Sequence, residues 1–224
     1  GGRTEALVHL AHPDADLHFR SLAWTGDEVG NRQRAEGYAE HLKNLLALWP
    51  AKTVVLGFGM NEAFAGEAGV EAFRGQYAVF LKQLGRFHPG ASFVLLGPTA
   101  VEARSSPAGV DVESRNRNIG LYSAVIADLA RANGAAFVDL FSETLAAYRS
   151  SKEPLTVNGL HLNDTGDCYV AWTVAKHFVG DDAISRVDAS RLEEIALAAA
   201  AKSAYVADVV RPKNGVVYYG VRKR

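Results

Sequence analysis

Cysteine is almost absent from this 224-residue chain. Cys168 stands alone, so no internal disulfide can form and redox chemistry names no compartment. Methionine is as scarce: the one occurrence, Met60, lies well inside a chain that opens Gly1-Gly2-Arg3. A trimmed protein or a fragment of a longer one is therefore expected, with no signal peptide in this stretch. No apolar run approaches the roughly 18 residues that span a bilayer. Excess charge is missing too. With a net charge of −1 and a pI near 6.7, neither nucleic acid nor an anionic membrane is an expected partner. His9, His12, His18, His41, His88 and His177 show no paired metal-ligand spacing with acids or cysteine, so no metal is expected; no organic cofactor is expected either.

What is present suits a globular enzyme-sized core. At 48% hydrophobic content the chain can bury one sizeable core, and one domain is the default reading. Asp16 to Ala23 alternates apolar and polar residues, which predicts a strand ending at Trp24-Thr25-Gly26-Asp27. A helical pattern follows through Tyr38, Leu42, Leu45, Leu46 and Trp49, closed by Pro50. Strands are predicted at Thr53 to Gly57, Ser92 to Leu96 and Ala136 to Leu140. Helices are predicted over Glu67 to Phe87, Arg115 to Asn133, Asp167 to Phe178 and Ser190 to Ala207. This strand–helix cadence predicts an α/β fold, a three-layer α/β/α sandwich with a parallel sheet. The tail differs in kind: Val216 to Val221 is strand-like, and Arg222-Lys223-Arg224 is a basic end.

Two places deliver polar groups from strand ends. Val54-Val55-Leu56 runs into Gly57-Phe58-Gly59-Met60-Asn61-Glu62, as a buried parallel strand does where it presents a side chain at the carboxyl end of a sheet. About a hundred residues on comes Asn158-Gly159-Leu160-His161-Leu162-Asn163. An amide and an imidazole at separate loop mouths outline an acyl-transfer site: a base, and a donor for a developing oxyanion. Taken singly, Asn61 equally suits the N-cap of a following helix, Gly26-Asp27 more readily suits a turn with a helix cap, and a lone loop histidine such as His161 is usually surface or structural.

The chain resembles the SGNH (GDSL-like) hydrolase superfamily, and in particular the SGNH domains of large multidomain planctomycete proteins. Leu22-Ala23-Trp24-Thr25-Gly26-Asp27-Glu28 is similar to the family's second block, Gly59-Met60-Asn61-Glu62 to its third, and Asn158-Gly159-Leu160-His161 in part to its fifth. The resemblance implies a flavodoxin-like SGNH fold, with His161 as base and with Gly26 (through its backbone N–H) and Asn61 (through its amide) in the oxyanion hole. It implies a small-molecule or carbohydrate ester as substrate, with an O-acetyl group as one class. It also implies neighbouring domains in a longer protein and an exported protein, periplasmic or secreted. Residues 1–187 are expected to form the hydrolase-like domain, and residues 188–224 a C-terminal helix and strand-like extension packed on it.

Two positions depart from the pattern. The family's serine follows its first strand in a glycine–acid–serine turn, and here Arg3 or Thr4 aligns with it; Thr4 carries a hydroxyl and is the candidate nucleophile. The acid three residues before the histidine is Asn158, whose amide oxygen can orient an imidazole but brings no charge. The first strand of the related fold is expected to be replaced by upstream residues, by Val216 to Val221 or by a partner chain. The second reading, from another class, is a catalytically inactive SGNH-like module that binds a glycan or a neighbouring domain.

Overall fold

The computed structural model describes residues 2–31 and 38–210. In chain order the elements are α1 (Arg3–Ala11), α2 (Tyr38–Leu48), β1 (Thr53–Gly57), α3 (Val70–Phe87), β2 (Ser92–Leu96) and α4 (Val112–Ala132). There follow β3 (Ala136–Val138), α5 (Leu140–Ser150), α6 (Asp164–Val179), α7 (Asp181–Ile184) and α8 (Leu192–Val210). They fall into two compact units, each assembled from separate stretches of chain. One holds residues 24–31, 38–101 and 108–146; the other holds 2–23, 102–107 and 147–210.

The first unit carries the sheet. Its strands are parallel in the order β1-β2-β3, with Val55 opposite Val94 and Leu95 opposite Phe137. The α/β fold with a parallel sheet is thus the one the cadence predicts, and β1 and β2 keep their predicted bounds. Branched apolar residues such as Val54, Val55 and Val94 suit the pleat, and the helices α3 and α4 make the long crossovers that parallel strands require. On α3, Phe73, Tyr77, Leu81 and Leu84 recur at helical spacing and are buried; on α4, Ile119, Tyr122, Ile126 and Leu129 do the same. The two helices meet where Phe73 of α3 is centred 5.0 Å from Tyr122 of α4, and Phe73 also lies 5.6 Å from Tyr77 on its own helix. Such pairs add about 0.5–1.5 kcal/mol each beyond the area they bury. Among the described residues β1 pairs with β2 alone, and Val55 is 44% exposed.

The second unit is helical. Ala6, Leu7 and Val8 of α1 pack with Ala171 and Ala175 of α6, Ile184 of α7, and Leu192 and Ala196 of α8. Alanine at four of these eight positions lets the helix axes approach closely. Gly2 shows how closely: a Cβ there would stand 2.3 Å from the Ala196 carbonyl oxygen and 2.7 Å from the Ala199 Cβ.

Two expectations need correction. Asp16 to Ala23 forms no strand. The alternation survives, since Leu17 and Phe19 pack on the helical core while Asp16, His18 and Arg20 face water, but among the described residues no ladder forms there. An alternating pattern specifies which faces are buried, whereas a strand also needs a neighbour for its N–H and C=O groups. The strand predicted to Leu140 stops at Val138, because Asp139 instead caps α5, its carboxylate accepting from the Ser142 N–H at 3.1 Å. The helices α1 and α5 lie outside the sequence-based expectations. In α1 three consecutive residues are buried, so no 3.6-residue stripe marks it. The segment Val216 to Val221 and the basic end lie outside the described residues.

The packing at Gly2 yields a first prediction. Gly2→Val forces the added carbons onto α8 backbone, which cannot yield as a flexible side chain would. The expected cost is about 1–3 kcal/mol, read as a lower urea midpoint at unchanged slope.

Candidate active site

The candidate residues divide between the two units. In the sheet unit, Gly26 sits at φ 78° in a turn where the Asp27 N–H donates to the Trp24 carbonyl at 3.3 Å. That left-handed backbone is strained for residues with a Cβ, so glycine is required by conformation. Asn61 lies where the chain leaves β1, just before the 3₁₀ turn Glu62–Ala65. It does not cap that turn with its side chain, and it is exposed. The capping explanation for an asparagine here therefore falls away.

Glu62 joins these two loops. Its Oε1 accepts from the Val29 N–H and its Oε2 from the Gly59 N–H, each at 2.8 Å. One carboxylate thereby ties the segment after Gly26 to the segment before Asn61. Hydrogen bonds to an ionised acceptor are worth about 1.5–3 kcal/mol each. The Tyr122 hydroxyl secures the next turn by donating to the Gly66 carbonyl at 2.9 Å. Burial, and secondarily the charge of Glu62, push the Tyr122 phenol up, so it remains a donor.

In the helical unit, Asn158 and His161 come together. The Asn158 Oδ1 accepts from the His161 backbone N–H at 3.0 Å and lies 3.1 Å from His161 Nδ1. An amide oxygen can only accept, so this pairing places the ring proton on Nδ1 and leaves Nε2 with its lone pair. Both residues are exposed. The loop closes on itself: Val157 N–H donates to the His161 carbonyl at 2.8 Å, and Thr156 bridges Leu162 in antiparallel fashion. Asn163 then caps α6 by accepting from the Gly166 N–H at 3.0 Å.

Thr4 is half-buried in the first turn of α1, and Gly2 stands at the N-cap of that helix. Its neighbour Arg3 reaches Asp167 at 2.7 Å, Glu193 at 3.0 Å and Asp164 at 3.6 Å. Hydrogen bonds to Glu193 and then Asp167 hold the guanidinium above its ordinary value. These contacts set the start of α1 against the start of α6, which follows the His161 loop by two residues. Arg3 is thus occupied as a tie between helices. Burial pushes the Cys168 thiol up, the opposite of an activated nucleophile.

Two acids escaped the sequence reading. Glu62 closes the Gly59-Met60-Asn61-Glu62 motif without a role assigned to it, and Glu102 stands in no motif. Glu102 is 1% exposed, and its carboxylate accepts from Leu155 N–H, Thr156 N–H, the Thr156 hydroxyl and the Ser105 hydroxyl. Burial pushes the carboxyl up, but the hydrogen bonds from Thr156, Leu155 and Ser105 together outweigh it and hold Glu102 below the ordinary carboxylate value. Among the described residues, no group of three or more metal-ligating side chains occurs, and no helix is long and apolar enough to cross a membrane.

Comparison with known proteins bears on this geometry. Residues 3–167 match the model of the GDSL-like lipase/acylhydrolase family. No curated protein matches the chain. Among solved structures, the acetylxylan esterase Axe2 from Geobacillus stearothermophilus is 13% identical, with 82% of this chain and 83% of that one covered at a TM-score of 0.62. The acetyl xylan esterase AlAXEase is 19% identical, with 79% and 95% covered at 0.56. The α/β hydrolase LAE5 from the metagenome of Lake Arreo, Spain, is 15% identical, with 80% and 81% covered at 0.60. At such identities the likeness is one of fold.

Two predictions follow from the acids. Glu62→Ala leaves the Val29 and Gly59 N–H groups without their acceptor and is expected to cost about 1–3 kcal/mol by urea denaturation. Glu102 binds its proton less readily folded than unfolded, so its contribution is present above the ordinary carboxylate pKa and fades as pH falls through the lowered value. The stability gap between the native chain and Glu102→Gln should accordingly be widest near neutral pH and narrow on acidification. Urea midpoints measured from about pH 7 down to about pH 3 check this.

Proposed function

This chain belongs to the GDSL-like lipase/acylhydrolase family, a family of ester hydrolases, and from that premise we propose that it removes a small acyl group from a carbohydrate ester. The observation that carries the reading is the 3.1 Å contact between Asn158 Oδ1 and His161 Nδ1. It prepares Nε2 as a base, which is the part of acyl transfer that a merely structural histidine does not need. The acetyl group is the favoured acyl class because Axe2 and AlAXEase, of like fold, are acetylxylan esterases.

In the proposed reaction His161 Nε2 takes the proton of the Thr4 hydroxyl as Oγ1 bonds to the ester carbonyl carbon. The family resemblance assigns stabilisation of the oxyanion to the Asn61 amide and the Gly26 N–H. As the tetrahedral adduct collapses, the carbon–alkoxy bond breaks and the imidazolium returns its proton to the leaving sugar hydroxyl. Water, deprotonated by the same imidazole, then attacks the acyl-threonine and releases the acid. Asn158 orients the ring throughout but supplies no charge to the imidazolium, so turnover slower than that of an aspartate-bearing enzyme is expected.

A second reading is favoured by Asn158 and Thr4, which stand where the family pattern has an acid and a serine: an inactive module that binds a glycan or a neighbouring domain. Hydrolysis of p-nitrophenyl acetate and of acetylated xylo-oligosaccharides separates the two. The hydrolase reading predicts that His161→Ala lowers kcat/KM by about 10²–10⁴-fold, that Thr4→Ala abolishes turnover, and that Asn158→Asp raises kcat. Absence of hydrolysis, with retained binding of the oligosaccharide by calorimetry, would establish the binding module instead.

A further inference from the structure

The loop that carries Asn158 and His161 has no regular ladder beyond the single bridge from Thr156 to Leu162. Its shape is held mainly from below, by one buried side chain. Glu102 Oε1 accepts from the Leu155 N–H at 3.0 Å, and Oε2 accepts from the Thr156 N–H at 2.9 Å and the Thr156 hydroxyl at 2.6 Å. The Thr156 hydroxyl accepts in turn from the Gly159 N–H at 3.0 Å. The chain of hydrogen bonds thus runs from the carboxylate through Thr156 to the residue between Asn158 and Leu160.

The backbone of Glu102 grips the same point. Its N–H donates to the Gly159 carbonyl at 2.9 Å, and its carbonyl accepts from the Ser106 hydroxyl at 2.7 Å. Gly159 has φ +85°, and a Cβ there would stand 2.1 Å from Ser106 Oγ. Both conformation and space require glycine, and both the N–H and the C=O of that glycine are anchored through Glu102. The peptide between Asn158 and His161 has little freedom left.

We propose that Glu102 is a positioning residue for His161: its carboxylate and backbone hold the loop so that Asn158 Oδ1 meets His161 Nδ1 and Nε2 is left free to act as base. This rests on the hydrolase reading for its catalytic meaning, while the geometry it asserts is independent of turnover. A carboxylate suits the role because it accepts several N–H and O–H groups at once and donates none. An amide of the same size would set its own N–H₂ against donors.

The tautomer of His161 gives the decisive readout. In chain labelled with nitrogen-15, long-range proton–nitrogen correlation at neutral pH distinguishes Nδ1–H from Nε2–H. The native chain is expected to show Nδ1–H predominantly. Glu102→Gln is expected to shift His161 to a mixture of tautomers while circular dichroism stays native. Thr156→Val, which removes the hydroxyl linking Glu102 to Gly159 and leaves the Leu155 and Thr156 N–H bonds to Glu102 in place, is expected to do the same, and Thr156→Ser to restore the native signal. If esterase activity is present, kcat in Glu102→Gln falls about tenfold with KM unchanged. Should Glu102→Gln fail to fold, the Thr156→Val and Thr156→Ser pair decides alone. An unchanged tautomer in a folded Glu102→Gln or Thr156→Val chain overturns the proposal. A tautomer that follows Glu102 in a chain without esterase activity upholds it and overturns the hydrolase reading instead.

Discussion

A backbone N–H that leaves regular structure must find another acceptor, and in both units the acceptor beside the candidate residues is a carboxylate. Glu102 takes the N–H groups of Leu155 and Thr156, and Glu62 takes those of Val29 and Gly59. A buried or half-buried carboxylate is costly unless several donors surround it. Glu102 has Ser105, Leu155 and Thr156, enough to hold its proton affinity below the ordinary value despite burial. The same donors that make the charge tolerable are the groups whose positions define the loops. Charge satisfaction and loop shape are one arrangement.

That arrangement separates framework from chemistry. The sheet of β1, β2 and β3, with the aromatic contacts of α3 and α4, supplies a rigid base built from apolar area. The helical unit gains its rigidity from close approach, with Ala6, Ala171, Ala175 and Ala196 in one core and Arg3 tying α1 to α6 and α8. Gly26, Asn61, Asn158 and His161 lie on exposed turns and loops carried by these bases. Exposed loops accommodate exchange of side chains without loss of the core, as befits the position where Asn158 departs from the family pattern.

The elements most legible in the sequence were those whose burial is one-sided or complete along a run. β1 and β2 kept their predicted bounds, and α3 and α4 appeared with their first turns displaced and the end of α4 one residue earlier. The segment around Leu17 and Phe19 kept its alternation of burial but formed no ladder, because pairing depends on what lies alongside and not on the residues themselves. α1 and α5 escaped notice for opposite reasons. Ala6, Leu7 and Val8 are buried in succession, which erases periodicity, and α5 begins directly after β3 with only Asp139 to mark the change.

For the site, the sequence by itself named Asn61 and His161, and the family resemblance brought in Asn158, which stands three residues before His161 where the pattern has an acid. Only the tertiary structure disclosed that Asn158 Oδ1 faces Nδ1, and that Asn61 leaves the following turn uncapped. Glu102 was invisible before folding: it lies 53 residues from Leu155, no motif surrounds it, and its effect arises from burial next to donors that the fold alone brings to it. Local conformation and periodicity are written in neighbouring residues. The desolvation of a charge, and the choice of partners that make it tolerable, belong to contacts distant in the chain.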